Sequence, residues 1–227
     1  MRLALPGILA FALCLTSGAT IAQPLPQPSP LAQKDLAAKG ISYDEWLLFH
    51  GIREGNIDYV RAAFKSGVHP EKARNPIGTL SALTTAVSSP RASSKMVSLL
   101  VEHGADVNRR WTPKLVSGEP PASNYFPLYQ AARLGNPEVV EALLQKGADV
   151  HARVSHGGTA LHATFDVEIG KVLQRHGADL NARNKSGQTP LGNAKRALAQ
   201  QKGDPRSPLR KKVEAFSSWL ISQGAVE

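Results

Sequence analysis

Phe126-Pro127-Leu128-Tyr129-Gln130-Ala131-Ala132-Arg133-Leu134-Gly135-Asn136-Pro137-Glu138-Val139-Val140 runs on through Leu143-Leu144 and closes at Gly147-Ala148-Asp149-Val150-His151-Ala152-Arg153. The same order of residues then restarts. Thr159-Ala160-Leu161-His162-Ala163 leads to Val172-Leu173 and to Gly177-Ala178-Asp179-Leu180-Asn181-Ala182-Arg183, and Thr189-Pro190-Leu191 opens another copy. Leu128 and Leu161 are 33 residues apart, and Gly147 and Gly177 are 30 apart. Self-similarity at a period of 20–50 residues marks a stacked array, so the repeat has to be read before any single residue.

The residue types explain what each copy builds. Leu128, Ala131 and Ala132 recur at helical spacing, and the two alanines let a helix lie close to its neighbours. Pro137 is tolerated in the first turn of a second helix, and Glu138 suits the positive end of its dipole. That helix buries Val139 and Leu143 with Val140 or Leu144, and Gly147 supplies the left-handed residue that ends it. A helical pair of this size buries too little surface to stand alone, so its stability must come from stacking on the copies before and after.

Outward from this stretch, the pattern continues in both directions. Ser42 and Glu45 form a capping box for a helix, after which Leu48, Gly55-Asn56, Asp58-Tyr59-Val60, Phe64 and Gly67 stand 80 residues before their counterparts in the central copy. Trp46 stands where the opening Thr would sit. A further copy runs from Leu83 and Ala86 to Leu99-Leu100 and Gly104, with two extra residues between its helices around Ser88 to Ser94. The copy beginning at Thr159 lacks about three residues between its helices, because Phe165 runs straight into Asp166. The last copy reaches its closing Gly224 some 14 residues late, with Gly203, Pro205 and Pro208 breaking the extra segment and a helix from Val213 to Ser222 turning Phe216, Trp219 and Leu220 inward.

A period near 33 with a Thr-Pro-Leu-His-like opening resembles the ankyrin-repeat family. The resemblance implies an all-α solenoid of about five helix-turn-helix repeats, spanning approximately 42–75, 79–110, 126–153, 159–183 and 189–225, with irregular caps and one long inter-repeat loop. The interval from Asn108 to Leu128 is 20 residues against 10 from Asn181 to Leu191, so about ten residues are inserted there. An insertion on a rigid scaffold points to function, and its aromatics and arginines are types that anchor interfaces. Trp111 and Phe126 folding back over the repeats is the alternative.

Ahead of residues 34–227, taken as the repeat domain, the chain has a different character. Arg2 precedes an apolar run from Leu3 to Leu15, and Thr20-Ile21-Ala22 offers a cleavage site, so residues 1–22 are expected to be a signal peptide cut after Ala22 and the protein to be periplasmic. Residues 23–33 hold Pro24, Pro26, Pro28 and Pro30 and read as an extended linker, with a short cap helix from Lys34 to Lys39. The one cysteine, Cys14, lies in the leader, so the mature chain needs no disulfide.

Charge and residue inventory narrow the function classes. The 227-residue chain carries a net charge of +9, and removal of Arg2 with the leader leaves +8. Such a chain prefers acidic partners or anionic surfaces, and nucleic acid is not expected in that compartment. The cluster Lys195, Arg196, Lys202, Arg206, Arg210, Lys211 and Lys212, opposed within that interval only by Asp204, is either a solvated face of the cap or a docking surface for an acidic partner or, weakly, for an anionic membrane surface. No two histidines sit four apart on an expected helix face, and no nucleophile turn or phosphate-binding glycine loop is present, so no metal, cofactor or enzymatic activity is expected.

The ankyrin resemblance implies protein binding through the loop tips and the concave face of the first helices. Mapped onto this chain, the contact residues are Arg109, Arg110, Trp111, Lys114, Tyr125, Tyr129, Arg133, His156, His162 and Lys185. His162 also belongs to the Thr-x-Leu-His opening, where the family uses the imidazole for hydrogen bonds within and between turns. Small exported bacterial ankyrin proteins are similar to two groups. One comprises immunity proteins that bind and neutralise envelope-attacking toxins such as type VI secretion lipases, and it is the expectation here; the other supports periplasmic enzymes such as catalase. A secreted host-directed effector is a third reading. The expected state is a monomer or a heterocomplex with an acidic protein.

Overall fold

In the computed structural model, residues 24–76, 80–111, 124–200 and 207–227 are described. Within them the chain forms ten α-helices and one 3-10 turn, and its only β-type pairing is a single antiparallel bridge between Trp111 and Tyr125. The helices come in pairs. An inner layer runs α2 (Tyr43–Glu54), α4 (Ala82–Ser88), α6 (Pro127–Leu134), the 3-10 turn (Ala160–Ala163) and α9 (Pro190–Gln200), each packing on the next. The outer layer holds α3 (Ile57–Lys65), α5 (Ser94–Glu102), α7 (Pro137–Gln145), α8 (Val167–Arg175) and α10 (Pro208–Ser222), with α5 to α10 in successive contact. Five helical pairs stacked side by side make an all-α solenoid.

The core follows the repeated sentence. Leu48, Leu83, Leu128, Leu161 and Leu191 are all buried in the inner layer, and Val60, Val97 and Val140 with Leu100, Leu143 and Leu173 in the outer. Both Val140 and Leu144 are buried alongside Val139 and Leu143, so α7 hides a wider stripe than two positions per turn. The ends of the helices are set as the sequence indicates. The Ser42–Glu45 capping box is present, Asn136 caps α7 through the Val139 amide with Pro137 in the first turn, and Gly55 and Gly147 take φ of +68° and +89°.

Four features differ from the sequence-based expectation. The first helix, α1 (Pro30–Ala38), starts at Pro30 and not at Lys34, because Ser29 accepts a hydrogen bond from the Ala32 amide and proline fits the first turn. The end of the proline-rich stretch also packs: Pro28 is buried, and the Tyr43 hydroxyl donates to the Pro26 carbonyl at 2.9 Å. The fourth repeat spends its missing residues on its first helix, which contracts to the 3-10 turn. Thr164 and Asp166 then start α8 directly, the Asp166 carboxylate accepting from the Glu168 and Ile169 amides. Finally, Pro208 does not interrupt the terminal segment but opens α10, capped by Ser207, five residues before the expected start.

Trp219 explains an oddity in α8. The position that is Val60, Val97 or Val140 in the earlier repeats is Gly170 in the fourth, and a β-carbon there would lie 2.4 Å from the Trp219 ring and 3.0 Å from Phe216. The glycine is the socket into which the closing helix seats its indole.

Candidate protein-binding edge

The loops that join repeats run along one edge, and a single position laces them together. Four residues after each repeat-closing glycine stand Glu71, Asn108, His151 and Asn181. Glu71 accepts from the Asp106 amide at 3.1 Å, Asn108 from the Asp149 amide at 2.9 Å, and Asn181 from the Val226 amide at 2.8 Å. The Asn108 amide group also donates to the Gly147 carbonyl. At His151 the series is interrupted, and the imidazole is exposed.

Two residues further on, arginine takes over. Arg110 donates to the Arg153 carbonyl at 2.7 Å, Arg153 to the Arg183 carbonyl at 2.7 Å and to Gly157 at 2.9 Å, and Arg183 to Gly187 at 2.7 Å and Glu227 at 2.9 Å. Each guanidinium therefore ties its own loop to the next one. The tips are tight turns, closed by Val154–Gly158 and Asn184–Gln188 backbone bonds of 3.0 Å, and the Lys185 amide joins one tip to the other through the His156 carbonyl.

An aromatic row borders this edge. Trp111 and Tyr125 exchange two backbone hydrogen bonds of 2.9 and 2.8 Å, so the two ends of the long insertion are clasped together. Their rings lie 5.4 Å apart, Tyr125 and Tyr129 follow at 5.5 Å, and Tyr129 meets His156 edge-on at 6.3 Å. Arg110 lies over the Phe126 ring at 5.5 Å. Phe126 is buried, so for it the alternative of folding back over the repeats is what the chain does, while Trp111 keeps a partly open face.

The expected contact residues thus divide into groups. Arg110, Trp111, Tyr125, His156 and Lys185 come together along the edge. Arg109 is near them, but it pairs with Glu71 and serves the lacing between the first two loops. Arg133 is exposed on α6 and donates to Gln130 on its own helix. Lys114 lies outside the described residues.

Tyr129 and His162, expected on the contact face, are 7% and 6% exposed and hold the array together instead. The reason for His162 is its hydrogen bonding. Its Nδ1 meets the Thr159 hydroxyl at 2.9 Å and its Nε2 the Gln188 carbonyl at 3.1 Å, while the Asn193 side chain donates to its backbone carbonyl. Burial, opposed by the bond to Gln188 and aided by the Arg153 charge, holds the imidazole below its ordinary pKa, so it is neutral at neutral pH.

Arg153 and Arg183 escaped the sequence reading of the site, whereas Asn124 lies in the loop tip 109–125 that it singled out. Asn124 donates from its amide to the Ser155 hydroxyl at 2.9 Å. The signal for the arginines was in plain view: Ala-Arg recurs six residues after both Gly147 and Gly177. In the basic terminal cluster, Lys195 pairs with Glu227, Arg210 with Glu214 at 2.9 Å and Lys212 with Asp166 at 3.9 Å, which makes much of it a self-paired cap surface; Lys202 and Arg206 lie outside the described residues. Among the described residues no helix is long and apolar enough to cross a membrane.

Helical pairs closed by left-handed glycines, stacked in two layers and joined by laced loops, define an ankyrin-repeat protein. Residues 128–200 match the family model for ankyrin repeats (3 copies), so this stretch is built of ankyrin repeats. It is 35% identical to an ankyrin repeat protein of Fowlpox virus (strain NVSL) over 48% of this chain and 30% of that one. An ankyrin repeat-containing protein of Treponema pallidum (strain Nichols) is 29% identical over 73% of this chain and 52% of its own length. Rabankyrin-5 of Homo sapiens is 34% identical over 42% of this chain and 9% of its own. The chain therefore spans about half the length of the treponemal relative and a third or less of the other two. Ankyrin repeats are, as a class, protein–protein interaction modules.

Proposed function

We propose that the chain is an exported, non-catalytic binding module that grips a protein partner along the loop edge. The observation that carries this is the insertion between the second and third repeats, whose ends are clasped by the Trp111–Tyr125 bridge beside a row of arginines. A long segment anchored at both ends on a stiff scaffold can enter a concave feature of a partner at reduced entropic cost. The basic balance of +9 favours an acidic partner.

The leader-like run from Arg2 to Ala22 supports a periplasmic location. In that compartment, the partner that suits a probing basic loop is an envelope-attacking effector such as a type VI lipase, and the protein acts as its immunity factor by filling the active cleft. The test is affinity capture of the tagged protein from the periplasmic fraction, together with competition of a deletion strain against its siblings. An effector in the eluate and loss of fitness under attack are expected. Unchanged fitness with peroxide sensitivity of the deletion strain would replace the effector by a periplasmic enzyme, and protein absent from the periplasmic fraction would sink the compartment itself.

A further inference from the structure

Along the loop edge runs a cleft of about 440 Å³, lined by Arg110, Asn124, Arg153, Ser155, Arg183 and Lys185 among others. Its charge is one-sided. Elsewhere cations meet acids: Arg109 meets Glu71, Arg91 meets Glu54, Lys146 meets Glu102 and Arg175 meets Glu141. Here, among the described residues, Arg110 and Arg153 bond only to backbone carbonyls, with Arg110 also over a ring, Arg183 reaches the Gly187 carbonyl and the main-chain carboxylate oxygen of Glu227, and no carboxylate side chain lines the cleft. A carbonyl orients a guanidinium without cancelling its charge. Arg110 and Arg153 each commit one terminal nitrogen to carbonyls, and among the described residues their other N–H groups meet no acceptor and the Lys185 ammonium has no ion-pair partner.

We propose that this cleft is the docking groove for a carboxylate-rich, extended segment of the partner protein, its Asp and Glu side chains meeting Arg110, Arg153, Arg183 and Lys185. The inference rests on the partner-binding reading above. Two features select a peptide over other polyanions. Guanidiniums held in place by the fold lose little freedom on binding and present the flat donor edge that matches a carboxylate. The carbonyls of Arg153, Gly157 and Arg183 lie among those cations and have lone pairs to spare for the N–H groups of an extended chain, which a phosphodiester backbone lacks. A flat anionic bilayer would meet the Ser155–His156 and Asn184–Lys185 tips before the cleft between them.

The experiment titrates a fluorescein-labelled polyglutamate peptide into the full chain by fluorescence anisotropy, with vesicles of phosphatidylglycerol as the competing surface. Binding that weakens as salt rises is expected, and Lys185→Glu should weaken it about tenfold. Because the exposed Lys185 side chain makes no hydrogen bond or ion pair among the described residues, the variant should melt like the wild type, and Arg110→Gln should weaken peptide binding in the same direction. No binding of the peptide, equal binding by Lys185→Glu, or binding to vesicles alone would each overturn the groove. If the partner captured from the periplasm is held equally by Lys185→Glu and Arg110→Gln, the module reading stands and only the groove falls; if nothing is captured while the peptide binds, the reverse holds.

Discussion

The third and fourth repeats share a template and differ in how they meet their neighbours. In the third, α6 is a full helix ended by Gly135 at φ +81°, Ala132 is buried at its end, and Val140 fills the outer layer. In the fourth, four residues of 3-10 turn replace that helix, Phe165 takes the place of Ala132 and turns edge-on to Phe216 at 6.3 Å, and Gly170 replaces Val140 so that Trp219 can enter. Yet Leu161, Ile169 and Leu173 stay as buried as Leu128, Val139 and Leu143. The lesson is that the leucine stripe defines a repeat, whereas helix length and the small positions adapt to whatever lies next in the stack.

The largest test asks whether both repeats are equally tight. Leu143→Ala and Leu173→Ala should each cost about 2–5 kcal/mol in urea denaturation, since both side chains are fully buried. A much smaller loss at Leu173 would show that the contracted repeat is loosely packed and break the comparison. Next comes the socket. Gly170→Val should cost roughly 1–3 kcal/mol by overpacking and shift Trp219 fluorescence towards the red, and adding Trp219→Ala should give part of that back.

Acid should act on the fourth repeat through His162, whose place in the third is taken by a tyrosine that does not titrate near neutrality. The folded pKa of His162 is depressed, so the native state favours the neutral ring, and His50, also lowered by its own burial, adds in the same direction. Their contribution is complete above the unfolded imidazole value of about 6.5 and is lost as pH falls below it. Melting temperature should therefore be level between about pH 7 and 8 and decline below about 6.5, ahead of carboxylate protonation. His162→Gln should flatten that decline, and an unchanged slope would remove His162 as its cause. The smallest effect sits in the lacing. His151→Asn should restore the missing bond towards the Asp179 amide and add about 0.5–1 kcal/mol, whereas no gain would show that the Arg153 tie already satisfies that junction.

Much of this architecture was legible because it is written in local backbone requirements. Gly67, Gly104, Gly147, Gly177 and Gly224 all take positive φ at the expected repeat ends, and Ser42 with Glu45 marks a helix start wherever it occurs. Pro28 and Pro30 were read as tether because proline has nearly the same φ in an extended tether and in the first turn of a helix. Only the Ser29 cap and the Tyr43 contact distinguish the two, and the latter is tertiary. The gap after Phe165 announced missing residues without saying which helix would yield them. The edge was half legible: Arg110, Tyr125 and Lys185 stand out by type and place, but Arg153 and Arg183 looked like copies of a motif until their carbonyl partners in the following loops were visible.

The indole seated over Gly170 also governs how the array could grow. A copy of the third repeat inserted just before α9 would present valine where Trp219 needs empty space, so the terminal pair could not close over it. Lengthened variants would have to add units ahead of Thr159, leaving the Gly170–Trp219 couple intact at the end of the stack, much as a bolt fits only the plate drilled for it.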